Sequence, residues 1–292
     1  METVVLKKHY NIKRVQRITE ARNQIKKWKR EGFTIGLVPT MGFLHEGHES
    51  LIKRASEEND KVVVSVFVNP TQFGKNEDLG SYPRDIKRDE ILCKQAGANL
   101  IFNPEPSEMY YKDASTVVNV GGLTEGLCGA KRPVHFGGVC LVVSKLFNIV
   151  TPDRAYFGEK DAQQLAVIKK MVKDLNFDIE IVGCPIVREF DGLAKSSRNT
   201  YLSLEERKAA CVLNKSLILA RKALNSGERK AARIKDIISE KLGSEILAKI
   251  DYIEVVDSLT LKPVENIESS ILVAIAVYIG ETRLIDNFTF KA

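Results

Sequence analysis

The run Val62-Val63-Val64-Ser65-Val66-Phe67-Val68 constrains the fold more than any other feature of the chain, because six of its seven side chains are apolar. A strand of that composition needs cover on both faces, as in a parallel sheet between helical layers, and belongs near the sheet centre. The flanking sequence agrees. From residue 34 to about 187, strand candidates at 34–38, 62–68, 99–102, 116–120, 154–157 and 179–187 alternate with helix candidates at 46–58, 82–96, 138–150 and 161–175. That order specifies an α/β domain. Upstream, the basic stretch 12–30 spaces Ile12, Val15, Ile18, Ala21, Ile25 and Trp28 three or four apart and reads as an amphipathic surface helix with a solvated basic face.

After Val187 the texture changes. Residues 188–199 are polar, and Ser203 with Glu206 forms a capping-box pair at a helix start. Helices at 203–225 and 229–242 precede strands at 252–256, 271–278 and 284–290, an α+β order with an antiparallel sheet. Two domains are therefore expected, 1–187 and 188–292, with the cleft between them as the natural site.

Composition excludes several classes. With 44% apolar and 28% charged residues the chain can bury a core. No apolar leader follows Met1, and the longest apolar run, 271–279, falls short of the ~20 residues a membrane helix needs. A cytoplasmic protein with no membrane partner is expected. Five scattered cysteines read as reduced, buried thiols. A net charge of +6 suits an anionic small molecule and does not call for nucleic acid.

Four segments carry candidate chemistry. Pro39-Thr40-Met41-Gly42-Phe43-Leu44-His45-Glu46-Gly47-His48 leads from a strand into a helix and holds two of the four histidines. Three residues apart, His45 and His48 share a helical face, beside backbone N–H groups that a helix start leaves open to phosphate. Gly47 is expected to let a base or phosphate lie against backbone. An ordinary polar helix start is the competing reading. Zinc lacks further ligands at suitable spacing, and neither G-x-G-x-x-G nor a P-loop is present.

The second segment, Phe67-Val68-Asn69-Pro70-Thr71-Gln72-Phe73-Gly74, follows the central strand, where ligands of open α/β sheets bind. Asn69 and Gln72 can donate and accept there, or Asn69-Pro70 can be only a turn. In the third, Phe157-Gly158-Glu159-Lys160-Asp161-Ala162-Gln163-Gln164, Lys160 offers a compact charge to a triphosphate, with Gln164 one turn on. The fourth, Asp191-Gly192-Leu193-Ala194-Lys195-Ser196-Ser197-Arg198-Asn199, presents two hydroxyls and a guanidinium to phosphate oxygens. The glycine-rich segment 126–138, with Lys131, Arg132 and His135, reads as a flap, and Asp89 as a magnesium-linked carboxylate.

The motifs P-T-M-G-x-L-H-x-G-H, F-V-N-P-x-Q-F, Y-P-R, R-P-x-H-F, F-G-E-K-D-x-Q-Q and D-G-L-A-x-S-S-R-N-x-Y-L-S occur in order over residues 34–203. Together they resemble the pantoate-beta-alanine ligase family of the nucleotidylyl transferase superfamily. The resemblance implies an α/β, Rossmann-like parallel sheet flanked by helices with a smaller C-terminal α+β domain. It implies condensation of (R)-pantoate with beta-alanine through a pantoyl adenylate, with release of AMP and pyrophosphate. ATP would contact Met41, Gly42, Phe43, Leu44, His45, Glu46, Gly47, His48, Gly158, Glu159, Lys160, Asp161, Val187, Lys195, Ser196, Ser197 and Arg198. Pantoate would contact Gln72 and Gln164, beta-alanine would border Gln72, and His48 would be the proton donor, with His45 and Lys160 also catalytic.

Lys195 departs from the apolar residue that many relatives place before Ser-Ser-Arg. The resemblance also implies Mg2+ and a homodimer. Chemically, His45, His48, Lys160 and Arg198 are expected to offset the charge growing on pyrophosphate. Two rival readings are a transferase acting on a phosphorylated acceptor, for which cations rather than Gln72 and Gln164 would be expected, and a tRNA-binding protein, for which no basic-aromatic pattern is present.

Overall fold

The computed structural model describes residues 12–75 and 77–292. Its first part is a six-stranded parallel sheet. In chain order its elements are β1 (Lys13–Val15), α1 (Ile18–Arg30), β2 (Ile35–Thr40), α2 (Glu46–Glu58), β3 (Lys61–Val66), α3 (Ile86–Ala96), β4 (Leu100–Phe102), α4 (Pro106–Met109), α5 (Leu127–Lys131), α6 (His135–Val150), β5 (Arg154–Gly158), α7 (Ala162–Asp174) and β6 (Glu180–Cys184). The strands lie in the order β1-β4-β3-β2-β5-β6. The valine-rich strand β3 is thus interior, and Val62, Val63 and Val64 are at most 1% exposed.

Both faces of this sheet are covered. Leu37, Val63 and Phe102 pack with Val139, Val143 and Phe147 of α6 on one side. Val38, Val64 and Ile101 pack with Leu51, Ile52 and Ala55 of α2 on the other. The chain builds outward in one direction from β2 and then returns to add β5 and β6 on its other side. The β2/β5 crevice is the switch point at which open α/β sheets bind ligands. Strand register holds it open. β2 and β5 pair only at Gly36–Arg154 and Leu37–Ala155, so their C-terminal ends run on without pairing to each other.

The remaining chain forms α8 (Leu204–Ala209), α9 (Val212–Asn225), α10 (Ala231–Gly243), β7 (Ala248–Asp257), β8 (Ile271–Ile279) and β9 (Thr282–Phe290). Its sheet, in the order β7-β8-β9, is antiparallel. It has a separate core in which Ile271, Val273, Ile275 and Val277 meet Leu217, Ile234 and Ile238. A smaller apolar cluster joins the two halves, setting Leu127 of α5 against Val256, Leu272 and Ala274. All five cysteines are free, and among the described residues no helix is long and apolar enough to cross a membrane.

Four expectations are corrected. Residues 116–120 are not a strand; Val118 and Val120 pack against the first core as loop. The helix expected over 12–30 starts at Ile18, because Lys13–Val15 pairs with Leu100–Phe102. The helix expected over 203–225 is broken into α8 and α9 around Ala210 and Cys211. The strand expected over 179–187 stops at Cys184, which leaves Pro185, Ile186 and Val187 to line a cavity.

Candidate functional site

At the C-terminal edge of the parallel sheet, β2 runs into α2 through a turn that backbone forces cannot hold alone. Gly42 sits at φ 84 and Phe43 at φ 50, both in the left-handed region. The turn is anchored by Asp89 of α3, which is 1% exposed and accepts the Phe43 N–H at 2.9 Å and the Leu44 N–H at 2.7 Å. Burial pushes the Asp89 carboxyl upward, against these two bonds. Asp89 is thus a loop anchor: both of its oxygens are taken by backbone N–H groups, and it lines neither cavity described below.

The two histidines cap the helix they begin. Nδ1 of His45 accepts the Gly47 N–H at 3.1 Å, and Nδ1 of His48 accepts the His45 N–H at 3.3 Å. An imidazole nitrogen that accepts carries no proton, so in the neutral ring Nε2 bears the hydrogen. Both rings therefore present Nε2–H donors, with centroids 4.1 Å apart. A Cβ on Gly47 would come within 2.8 Å of His45 Cε1; the glycine makes room for that ring rather than for a ligand.

The caps change two expectations. Open backbone N–H groups were expected at this turn, yet those of Gly42, Phe43, Leu44, His45 and Gly47 are taken by Thr40, Asp89, His48 and His45. The turn therefore offers chiefly side-chain donors to the cavity. The histidines were also expected to bring charge. Burial, with Lys160, Lys195 and Arg88 nearby, pushes His45 down to about 4. Burial, then His45 and Lys160, holds His48 well below the usual value. Both are neutral donors, and the basic side chains that line the cavity with them are Arg132, Lys160, Lys195 and Arg198.

One cavity of about 230 Å³ gathers side chains from all four motif segments: Met41, His45 and His48; Asn69 and Gln72; Lys160, Asp161 and Gln164; Lys195, Ser196, Ser197 and Arg198. Gly47, Gly158 and Val187 also line it. Beyond it, a cavity of about 660 Å³ shares Arg132, His135, Lys160, Gln164 and Arg198 with the first and reaches Tyr252 and Arg283 on the C-terminal sheet. Gln72 is oriented from two sides: Asn69 Nδ2 donates to its Oε1 at 3.1 Å, and its Nε2 lies 3.1 Å from Met41 Sδ.

Five of the residues expected at the nucleotide do not line either cavity. Leu44 is fully buried in the apolar layer beneath the sheet. Gly42 and Phe43 form the anchored turn, with the Phe43 ring against Arg88 at 4.7 Å. Glu46 points outward to Lys195 at 3.1 Å. The Glu159 side chain lies toward Gly183, while its carbonyl accepts from Asn287 at 3.1 Å.

Sequence reasoning missed the acidic partners. Asp78 takes Arg198 in a two-point bond, Nε at 3.0 Å and Nη2 at 2.8 Å. Glu77 takes Arg132 in the same way, through Nε at 2.9 Å and through Nη2. Asn287 of β9 was missed as well; it donates to the Lys160 carbonyl at 2.8 Å. No local pattern marks Glu77 and Asp78, whose partners lie 55 and 120 residues away. The loop bearing Ser196 and Ser197 is fastened below by Arg188, paired with the buried Asp286 at 2.7 Å, and above by Ser197 Oγ donating to the Phe43 carbonyl at 3.2 Å.

Comparison with known proteins gives one consistent answer. The pantoate-beta-alanine ligase family model matches residues 13–289. A pantothenate synthetase of Enterococcus faecalis is 70% identical over 274 residues, covering 94% of this chain and 97% of that protein. A pantothenate synthetase of Clostridioides difficile is 70% identical over 277 residues, covering 95% and 98%. In structure, pantothenate synthetase from Thermus thermophilus matches with a TM-score of 0.90 at 45% identity, covering 95% of this chain and 99% of that one. Pantoate-beta-alanine ligase from Francisella tularensis, complexed with beta-gamma ATP and beta-alanine, matches with a TM-score of 0.77 at 34% identity, covering 95% and 97%.

Proposed function

The chain belongs to the pantoate-beta-alanine ligase family and is an ATP-dependent ligase that condenses pantoate with beta-alanine; from that premise we propose that the joined cavities are its active site and assign the steps to residues as follows. The observation that carries the assignment is that His48, Lys160 and Arg198, from three separate segments, line one cavity together with Gln72 and Gln164.

ATP lies with its phosphates toward His45, His48, Lys160, Ser196, Ser197 and Arg198. Pantoate lies in the inner part of the cavity, where the Gln72 and Gln164 amides read its hydroxyl and carboxylate oxygens. A carboxylate oxygen attacks the α-phosphorus, the bond to the β-phosphate breaks, and pyrophosphate leaves. The two Nε2–H donors and Lys160 stabilise charge that grows on it. Donors fixed by a helix cap need little reorganisation at that moment, which is the source of such catalysis. The amine of beta-alanine then attacks the acyl carbon, the bond to AMP breaks, and the amine gives up a proton as the amide forms.

Residues 188–292 act as a second domain that closes over residues 1–187 and keeps water from the acyl adenylate. Support comes from the contacts that join the two parts of the chain: Lys195 with Glu46, Arg198 with Asp78 and Asn287 with Lys160. Mg2+ is part of the proposal only as a companion of the triphosphate. Asp161 lines the cavity and is the carboxylate that could face the ion. A homodimer and a cytoplasmic location complete the proposal on family resemblance, and light scattering tests the former.

The decisive experiment is ATP–pyrophosphate isotope exchange with pantoate present and beta-alanine absent. Exchange is expected. Its absence, with net turnover only when all three substrates are present, would overturn the adenylate route.

A further inference from the structure

Arg132 is left without a role by this nucleotide assignment. It follows α5 directly, lines both cavities, and its backbone is fixed by the N–H bond to the Cys128 carbonyl at 2.9 Å. Other basic side chains of the cavities have assignments or partners. Lys160, Lys195 and Arg198 face the nucleotide side, while Arg283 and Lys131 are drawn to Asp251 at 2.8 Å and 3.5 Å.

Its position points to the second substrate. Arg132 Nη2 lies 3.5 Å from the Gln72 carbonyl oxygen, and His135 Nδ1 donates to the same oxygen at 3.0 Å. One residue thus has its side-chain amide at the proposed acid subsite and its carbonyl held by Arg132 and His135. Two carboxylates enter this reaction. That of the acid loses its charge when it is adenylated, but that of the amine donor stays ionised throughout and needs a cation beside the acid subsite. A guanidinium fork matches a carboxylate with two parallel bonds.

That fork already holds a carboxylate. Glu77 bonds to Nε and Nη2 in the two-point geometry a substrate carboxylate would use. Glu77 sits in the irregular stretch between Phe73 and α3, where its N–H bonds the Gly74 carbonyl at 3.1 Å, and its side chain is 23% exposed. Burial pushes its carboxyl up, but Arg132 outweighs that and holds it below the ordinary range; it is an anion held by the guanidinium. Exchange of one carboxylate for another leaves no buried charge unpaired, the condition under which a desolvated pair can be opened at low cost.

Resting on the ligase reading above, we propose that Arg132 is the receptor for the carboxylate of beta-alanine and that Glu77 is its resident stand-in, displaced when the substrate binds. Arg132 then sets specificity for an amino acid over a plain amine, and Glu77 competes with it.

The test compares beta-alanine with beta-alaninamide, which keeps the amine and lacks the negative charge. The wild-type enzyme is expected to prefer beta-alanine strongly. Arg132→Gln is expected to raise KM for beta-alanine by roughly 30- to 100-fold, the range for a two-point charge-assisted bond, and to collapse the preference over the amide. Arg132→Lys, which keeps the charge and loses the fork, falls between. Glu77→Gln is expected to lower KM for beta-alanine several-fold by removing the competitor. An equal loss of both substrates in Arg132→Gln and Arg132→Lys, or a raised KM in Glu77→Gln, would overturn the assignment. Failure of the underlying reading shows separately, as absence of pantoate-dependent exchange in the wild-type enzyme.

Discussion

Replacing Asp89 by asparagine separates an anchor from a metal ligand. The carboxylate is buried and accepts the Phe43 N–H at 2.9 Å and the Leu44 N–H at 2.7 Å. Hydrogen bonds to a charged partner contribute about 1.5–3 kcal/mol each. Asparagine keeps one acceptor oxygen and turns an NH2 group toward the other N–H, so one bond is lost and two donors face each other. Relief of the unfavourable burial that raises the Asp89 pKa offsets part of this, leaving a net loss of about 2–3 kcal/mol. For a chain of this size that is a fall in Tm of roughly 3–5 °C.

The turn it releases carries two consecutive left-handed residues and leads directly into His45, so turnover should fall about tenfold through looser donor placement. The assay is thermal unfolding together with exchange activity titrated with free Mg2+. An anchor predicts a lower Tm with an unchanged Mg2+ requirement. An unchanged Tm with a Mg2+ requirement raised about tenfold or more would refute the reasoning and restore Asp89 as a metal ligand.

Three further outcomes follow from the same geometry. His48→Ala or Lys160→Ala should each lower turnover by roughly 10²-fold or more with an unchanged circular dichroism spectrum; near-normal rates would remove them from the mechanism. His45 and His135 are both pushed from 6.5 down to about 4, so between those values the unfolded chain takes up protons that the folded one refuses. Stability should fall as pH drops from about 6.5 to about 4, by on the order of 3 kcal/mol per histidine. Urea unfolding across that range, flattened in part by His135→Asn, checks it, and a flat profile in the parent would contradict it. A Cβ at residue 138 would lie 2.4 Å from the Thr71 carbonyl oxygen, so Gly138→Ala should push α6 off the Asn69 turn, cost about 1–3 kcal/mol and raise KM for pantoate. Unaltered Tm and KM would show that the turn is free to move.

What could be read in the sequence was local. Helix α2 spans the expected 46–58 because its stripe of Leu51, Ile52 and Ala55 lies within one element. The Ser203–Glu206 cap was likewise legible, since both partners lie in one turn. The motif segments could be brought to one cavity because they lie at the ends of strands or the starts of helices.

Failures arose where pairing across the chain decides. Ile12, Val15 and Ile18 are spaced as on a helix, yet Val15 is placed in a strand by Phe102. Residues 116–120 hold three valines but pair with no strand. Ala209, Val212, Leu213, Leu217 and Ala220 are buried at helical spacing across the break at Ala210, so periodicity alone could not show it. The free N–H groups expected at the histidine turn were taken by Asp89, about 45 residues away, and by the imidazoles themselves. Nothing local marks Glu77 and Asp78, because their partners Arg132 and Arg198 are brought to them by the fold.

The histidine cap ties reactivity to the integrity of a single helical turn. Each ring owes its protonated face to a neighbouring amide, so fraying at the start of α2 lets both rings tumble and change tautomer while the valine layer beneath stays intact. Gentle warming should therefore silence the enzyme at temperatures where its sheets remain fully assembled, and cooling should bring it back without refolding.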